Sequence, residues 1–480
     1  MKYKHLKSGT DIRGVALGDN ITLTNEIAGD CAAAFAEFLK EKYPDRSLCV
    51  AVGHDPRISS PALAAAAVAG LSQAGIKVLD CGNATTPSMF FATRFEGSDC
   101  DGAIEITASH LPPERNGLKF FTKEGGLEGK DIEWILSHAE TPYKAQQSGA
   151  VEPFDILTPY SEELCQLICR RTGKQRPFAG QKIIVNAGNG MGGFFEEKVL
   201  RPLGADTTGS VNLTPDGTFP AHIPNPENAA AMQATADATV AAGATLGICF
   251  DTDCDRAAIV DKNGKAINSS TLIALISAVV LEEIPGSTVV TDSVTSAGLK
   301  LFIEAKGGHH HRFKRGYKNV IDEAKRLEAE GISAPLAIET SGHAALKENY
   351  YLDDGAYLVV KLLCKAAQLA AQGKELSDLI ADLKEPMETK EIRLNITEPD
   401  FRTYGQKVLE DFEAYIAKFG QIETPSYEGV RAVIGEGWIL MRLSVHDPVL
   451  PVNIESDVAG GVAIIEGHFR EFLKNYDKLK

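Results

Sequence analysis

Apolar residues recur along this chain in short runs, each followed by a turn and then by a stretch with helical spacing. Ser47-Leu-Cys-Val-Ala-Val52 predicts a buried strand, Gly53-His-Asp-Pro-Arg-Ile-Ser-Ser60 a turn, Pro61–Gly75 an alanine-rich helix, and Ile76-Lys-Val-Leu79 the next strand. A second copy runs through Lys182-Ile-Ile-Val-Asn186, a glycine-rich turn, and a helix over Phe194–Leu203. A third runs through Ser287-Thr-Val-Val-Thr291, a polar turn, and a helix over Ala297–Ala305. Strand, turn, helix and strand is the grammar of a sheet covered by helices, so three similar α/β domains are expected. The tail differs. A helix over Glu375–Leu383, a strand over Glu391–Thr397, an amphipathic helix over Phe401–Phe419, strands over Trp438–Ser444 and Val452–Glu455, and a helix over Val462–Leu473 predict a smaller α+β domain. The expected boundaries are 1–150, 151–256, 257–372 and 373–480.

Length agrees with this division, since 480 residues exceed what one core supports. A net charge of −16 disfavours nucleic acid or an anionic membrane as partner, so any phosphate site must be built locally. Nine cysteines without a Cys-x-x-Cys pair fit neither a disulfide framework nor a structural zinc. The first residues lack an apolar leader and no apolar run has membrane-spanning length, so a reduced, cytoplasmic protein is expected.

The chemistry concentrates in a few loops. Gly102-Ala-Ile-Glu-Ile106 alternates like a strand and runs into Thr107-Ala-Ser-His-Leu-Pro-Pro113. Two prolines stiffen the exit, which suits a hydroxyl held as nucleophile or covalent phosphate at Ser109. Asn116-Gly117 favours a tight reversal that brings Lys119 back toward Ser109. His110 adjoins the serine in sequence and reads as a polar contact or proton relay, because catalytic pairs are assembled in space.

Asp251-Thr-Asp-Cys-Asp-Arg256 lies between two apolar runs. Three carboxylates this close repel one another unless a cation joins them, and oxygen-only ligands suit Mg²⁺. Gly188-Asn-Gly-Met-Gly-Gly193 has the glycine spacing of a dinucleotide turn, with Asp206 beyond it, but the other two copies lack the glycines. A tight strand-to-helix connection is the simpler account. Glu339-Thr-Ser-Gly-His343 clusters groups suited to sugar hydroxyls. His309-His-His-Arg-Phe-Lys-Arg315 is a basic run, read as exposed or as a loop meeting an anionic substrate through Lys314 and Arg315.

Taken in order, these loops resemble those of the α-D-phosphohexomutase superfamily, the phosphomannomutase/phosphoglucomutase enzymes, over nearly the whole chain. The resemblance implies a four-domain architecture, three similar α/β domains with mixed sheets and a C-terminal α+β domain. It implies interconversion of hexose 6-phosphate and hexose 1-phosphate through a phosphoserine at Ser109 and a 1,6-bisphosphate. Ser109, Asp251, Asp253 and Asp255 become Mg²⁺ ligands, with Arg13, Lys119 and His110 as catalytic groups. Arg256, Glu339, Ser341 and His343 face the sugar phosphate. Arg442-Leu-Ser-Val-His446 lines up with the family's C-terminal phosphate loop, giving Arg442, Ser444 and His446 as phosphate contacts, although Val445 replaces a small or amide residue. A hexose 1,6-bisphosphate activator and a monomer or homodimer are further expectations. A phosphoglucosamine mutase and a catalytically weak sugar-phosphate-binding homologue stand as alternatives.

Overall fold

The computed structural model describes residues 2–444 and 447–480. The chain divides into two units, Met1–Asn268 with Ser341–Leu376, and Ser269–Thr340 with Ser377–Lys480.

The first unit opens with strand β1 (Asp11–Val15) and helix α1 (Asn25–Lys42), capped by Thr24, whose side chain accepts from Ile27 N. Strand β2 (Cys49–His54), helix α2 (Ser60–Gln73), strand β3 (Lys77–Asn83) and helix α3 (Thr86–Ala92) follow, then strands β4 (Gly102–Ile106) and β5 (Arg115–Thr122). In the sheet the order is β1-β5-β4-β2-β3. β2 lies parallel to β3 and β4, while β5 runs antiparallel to β4 and β1 antiparallel to β5. The core under α1 and α2 buries Phe35, Phe120, Ile12 and Ile104 completely, each worth about 1.5–3 kcal/mol of apolar transfer. The two helices touch backbone to backbone: a Cβ on Gly70 would lie 2.1 Å from Gly29 O.

A second sheet of the same unit contains strands β6 (Ile183–Asn186), β7 (Leu246–Phe250) and β8 (Ala257–Asp261). β6 and β7 are parallel, β8 is antiparallel to β7, and Ala266–Ile267 edges β8. The helix expected over Phe194–Leu203 is one α-turn, Gly193–Phe195, continued as a π-turn, Glu196–Leu200. A hairpin, Ala344–Leu346 with Leu352–Asp353, leads into the helix Gly355–Ala370.

In the second unit, His309–Arg312, Thr288–Thr291 and Leu336–Ile338 run parallel, with Thr288–Thr291 in the middle. The C-terminal sheet is fully antiparallel, in the order Glu388–Asn395, Val449–Ser456, Gly437–Met441, Val430–Ile434, Gln421–Ile422. Helices Phe401–Ile416 and Gly461–Leu473 cover its core. The helix expected over Glu375–Leu383 is a single 3-10 segment, Leu376–Ile380. Among the described residues no helix is long and apolar enough to cross a membrane.

Candidate active site

Ser109 sits in the loop between β4 and β5, fully buried and at φ +52°. Few side chains hold that left-handed conformation without support. Here Thr107 Oγ1 accepts from Ser109 N at 2.9 Å, and Thr107 Oγ1 donates to Asp55 at 2.8 Å. Arg57, buried completely, supplies the rest. Its Nε pairs with Asp55 at 3.0 Å, and its terminal nitrogens donate to the carbonyls of Ser109, Leu111 (2.7 Å), Pro112 (2.8 Å) and Arg115 (3.2 Å). Arg13, on β1, reaches Ala108 O at 3.2 Å from Nη1 and pairs with Asp11 at 2.8 Å.

The acidic loop curls between β7 and β8, with Cys254 at φ +64°. One oxygen from each of Asp251, Asp253 and Asp255 falls within 4.8 Å of the others, and all three residues are fully buried. Ser109 Oγ donates to Asp251 Oδ2 at 3.2 Å and accepts from Arg256 Nη2 at 3.1 Å. Asp253 Oδ1 and Asp255 Oδ1 are buried yet accept no hydrogen bond, which is what an all-oxygen cation site requires of its donors. The residues therefore fit a hard divalent cation.

Lys119, nearly buried on β5, bonds Asp253 at 3.1 Å and Asp255 at 2.5 Å, and Thr86 Oγ1 donates to Asp253 at 2.6 Å. Burial, then Asp255 and Asp253, push Asp251 well above the ordinary carboxylate range. Burial also works against ionised Asp255, but Lys119, His343 and Arg256 outweigh it and hold that carboxylate below its usual range. Arg256 Nη2 donates to His110 Nδ1 at 2.8 Å, and the arginine's charge, then burial, drive His110 down to about 2. His110 is thus neutral, with its proton on Nε2.

His343 spends both ring nitrogens inside the protein: Nδ1 lies 2.6 Å from Asp353 and Nε2 accepts from Arg256 Nε at 2.8 Å. Its Nε2 contact orients the Arg256 guanidinium. Ser341 Oγ is buried without a hydrogen-bond partner. The glycine turn after β6 serves the acidic loop: Met191 N donates to Thr252 O at 2.8 Å, and a Cβ on Gly190 would sit 2.7 Å from Thr252 Cα. Backbone contact, not a dinucleotide, accounts for that glycine.

The second unit holds the other expected residues. Glu339 accepts from Gly316 N at 2.6 Å, and the neighbouring Thr340 donates to Asp292 at 2.7 Å. Arg442 Nη1 stands 3.7 Å from Glu428 Oε1, and Arg315 N donates to Glu428 Oε2 at 3.1 Å. Lys314 lies over the Phe313 ring at 5.9 Å. Ser444 Oγ accepts from Asp447 N at 3.2 Å. Val445 and His446 lie outside the described residues. The histidine run forms strand His309–Arg312 and is no loop; His309 is exposed, and strand alternation separates neighbouring rings. His310 is bonded to Thr291 Oγ1 at 2.7 Å and His311 to Glu323 at 2.9 Å.

Compared with known proteins, the chain matches "Phosphoglucomutase/phosphomannomutase, alpha/beta/alpha domain I" over residues 5–146, domain II over 158–264 and domain III over 268–387. The chain belongs to the phosphoglucomutase/phosphomannomutase family. It is 30% identical to a phosphoglucomutase of Neisseria gonorrhoeae, covering 97% of this chain and 96% of that protein. It is 32% identical to a phosphoglucomutase/phosphomannomutase of Thermococcus kodakarensis, covering 93% of each. A crystal structure of a family member from Burkholderia thailandensis superposes with a TM-score of 0.82 at 27% identity, covering 98% of this chain and 97% of that one. The phosphoglucomutase/phosphomannomutase family comprises intramolecular phosphotransferases, which are isomerases, and this chain is one of them.

Three features of this family member escape a reading of its sequence. Arg57 lies in the turn after β2, where Asp-Pro-Arg reads as turn chemistry although its guanidinium braces the serine loop. Asn116 and Gly117 are inside β5, so the reversal that returns Lys119 is the Thr107–Glu114 loop itself. Gly102–Ile106 forms a strand as its alternation predicts, but all five residues, Glu105 included, are buried. Burial, then Asp55 and Asp253, push the Glu105 pKa well up.

Proposed function

We propose that this protein interconverts hexose 6-phosphate and hexose 1-phosphate by carrying a phosphoryl group on Ser109 Oγ. The observation that carries the reading is Ser109 Oγ lying 3.2 Å from Asp251 and 3.1 Å from Arg256. In the forward step the bond from phosphorus to Ser109 Oγ breaks and one to the sugar's free hydroxyl oxygen forms, giving a 1,6-bisphosphate. The hydroxyl proton passes to a general base, for which Lys119 and His110 are the candidates. After the bisphosphate turns over, its other phosphate returns to Oγ and the proton goes back to the sugar oxygen. Arg13 and Arg256 oppose charge on the transferring group, where fixed electrostatics carry most of the catalysis. His110, neutral and donating from Nε2, acts as a hydrogen-bonding relay.

Asp251, Asp253 and Asp255 with Ser109 Oγ would hold Mg²⁺, which supplies positive charge beside the transferring oxygens. Glu339 and Ser341 bind sugar hydroxyls, and Arg315, Lys314, Arg442, Ser444 and His446 take the non-transferring phosphate. A hexose 1,6-bisphosphate primes Ser109.

Intact-mass measurement before and after glucose 1,6-bisphosphate tests this. One phosphate on the native protein, none on Ser109→Ala, and isomerisation only by the former are expected. A Ser109→Ala variant that isomerises hexose phosphates as fast as the native protein removes the proposal. A second reading, a weakly catalytic sugar-phosphate binder, is favoured by Glu428, whose carboxylate faces Arg442 at 3.7 Å. It predicts equal binding by native and Ser109→Ala protein with no isomerisation by either.

A further inference from the structure

Glu105 is a buried carboxyl near the acidic loop for which the mechanism has no use. It is buried, three residues before Ala108, whose carbonyl Arg13 holds, and neither carboxyl oxygen has a hydrogen-bond partner. Its place is fixed by the sheet: β4 pairs with β5 so that Glu105 lies directly opposite Lys119. Directly opposed residues in an antiparallel pair share a face, with Cβ atoms about 5 Å apart. The Lys119 ammonium on that face is bonded instead to Asp253 and Asp255. Gly53, on β2, leaves space for the glutamate, since a Cβ there would meet Glu105 Oε2 at 3.0 Å.

A buried carboxyl without a partner costs the fold free energy, so its retention calls for a second arrangement in which it is satisfied. Lys119 supplies one. Its ammonium stands on two of the three carboxylates that would ligate a divalent cation, and two positive charges cannot share those oxygens without repulsion. When the cation binds, the ammonium has to withdraw, and Glu105, opposite it in the ladder, offers acceptor oxygens on its own face of the sheet.

We propose that Glu105 is a positioning residue that receives the Lys119 ammonium when a divalent cation takes Asp253 and Asp255. The proposal rests on the acidic triad being the cation site. Lys119 then has two stations, and Glu105 sets how readily the first is vacated. Cation binding by the whole protein, measured by titration calorimetry with Mg²⁺ alone, reads this without reference to turnover. Glu105→Gln should weaken Mg²⁺ binding about tenfold, within the range of coupling between neighbouring charges. Lys119→Met should tighten it, and adding Glu105→Gln to Lys119→Met should change it less than about twofold, because the charge to be received is gone. A loss in the double variant as large as in Glu105→Gln alone means that Glu105 acts on the cation directly, and the proposal is overturned. Should Glu105→Gln fail to fold, a crystal structure of the native protein with Mg²⁺ decides. Lys119 Nζ within about 3.2 Å of a Glu105 oxygen supports the proposal, and Nζ still on Asp253 and Asp255 overturns it. No Mg²⁺ binding by native protein removes the cation reading, and this proposal with it. Native binding that Asp253→Asn abolishes but Glu105→Gln leaves unchanged removes this proposal alone.

Discussion

Replacing Arg57 by lysine keeps the charge against Asp55 and removes the fork. The native guanidinium makes five side-chain bonds, one to Asp55 and four to carbonyls of the loop Ser109–Arg115. Lysine has three donors, so at least two of the five are lost. Bonds from a charged donor are worth about 1.5–3 kcal/mol each, which puts the loss at about 3–6 kcal/mol before relaxation. Part of that falls on the fold, and part on the conformation at Ser109, whose φ of +52° is braced at its carbonyl by this guanidinium. We expect Arg57→Lys to lose about 3 kcal/mol in urea unfolding. Its kcat should fall about 100-fold, with KM within a few-fold of native, because misplacing a reacting group by about 1 Å costs on that order. A coupled assay of glucose 1-phosphate turnover, with phosphoserine content followed by intact mass, measures both. Native-like stability together with native kcat would show that the serine loop holds its shape without the guanidinium, and the argument from bond count fails.

Gly190→Ala pushes a Cβ to 2.7 Å from Thr252 Cα and its carbonyl oxygen, both backbone. Overpacking of this kind costs about 1–3 kcal/mol, and since Thr252 lies between Asp251 and Asp253, Mg²⁺ binding by calorimetry should weaken as well; unchanged affinity contradicts the supporting role given to that turn. Asp354 is raised from 3.8 to about 6 by burial, against the bonds from Tyr357 N, Tyr160 and Asn349. Its folded value is the higher one, so its contribution is fully present below pH 3.8 and is lost as pH rises through about 6. Roughly two units correspond to about 3 kcal/mol. Urea unfolding at pH 4 and pH 7 should show the native-minus-Asp354→Asn difference falling by about that amount, and an equal difference at both pH values refutes it.

The parts legible in sequence were those with local causes. Strand runs such as Leu246–Phe250 and the small helix stops punctuate the chain, and the acidic triad announces itself because like charges so close together demand an explanation. The parts that were hidden depend on partners far along the chain. Arg57 looks like a turn residue until the Ser109 loop, some fifty positions later, is laid against it. The burial of Glu105 is not legible in the alternation of Gly102–Ile106, because a strand enclosed on both sides buries every position. Asn116-Gly117 carries a strong hairpin signal, yet β5 pairs with β1 as well as β4 and holds both residues in the ladder. The histidine run misled because composition was read without the strand that spaces its rings.

The left-handed backbone at Ser109 has a consequence for which amino acid can stand there. Threonine offers the same hydroxyl and the same ester chemistry, but its branched Cβ is a genuine outlier at positive φ. The choice between the two alcohols is therefore made by main-chain geometry before any phosphate arrives.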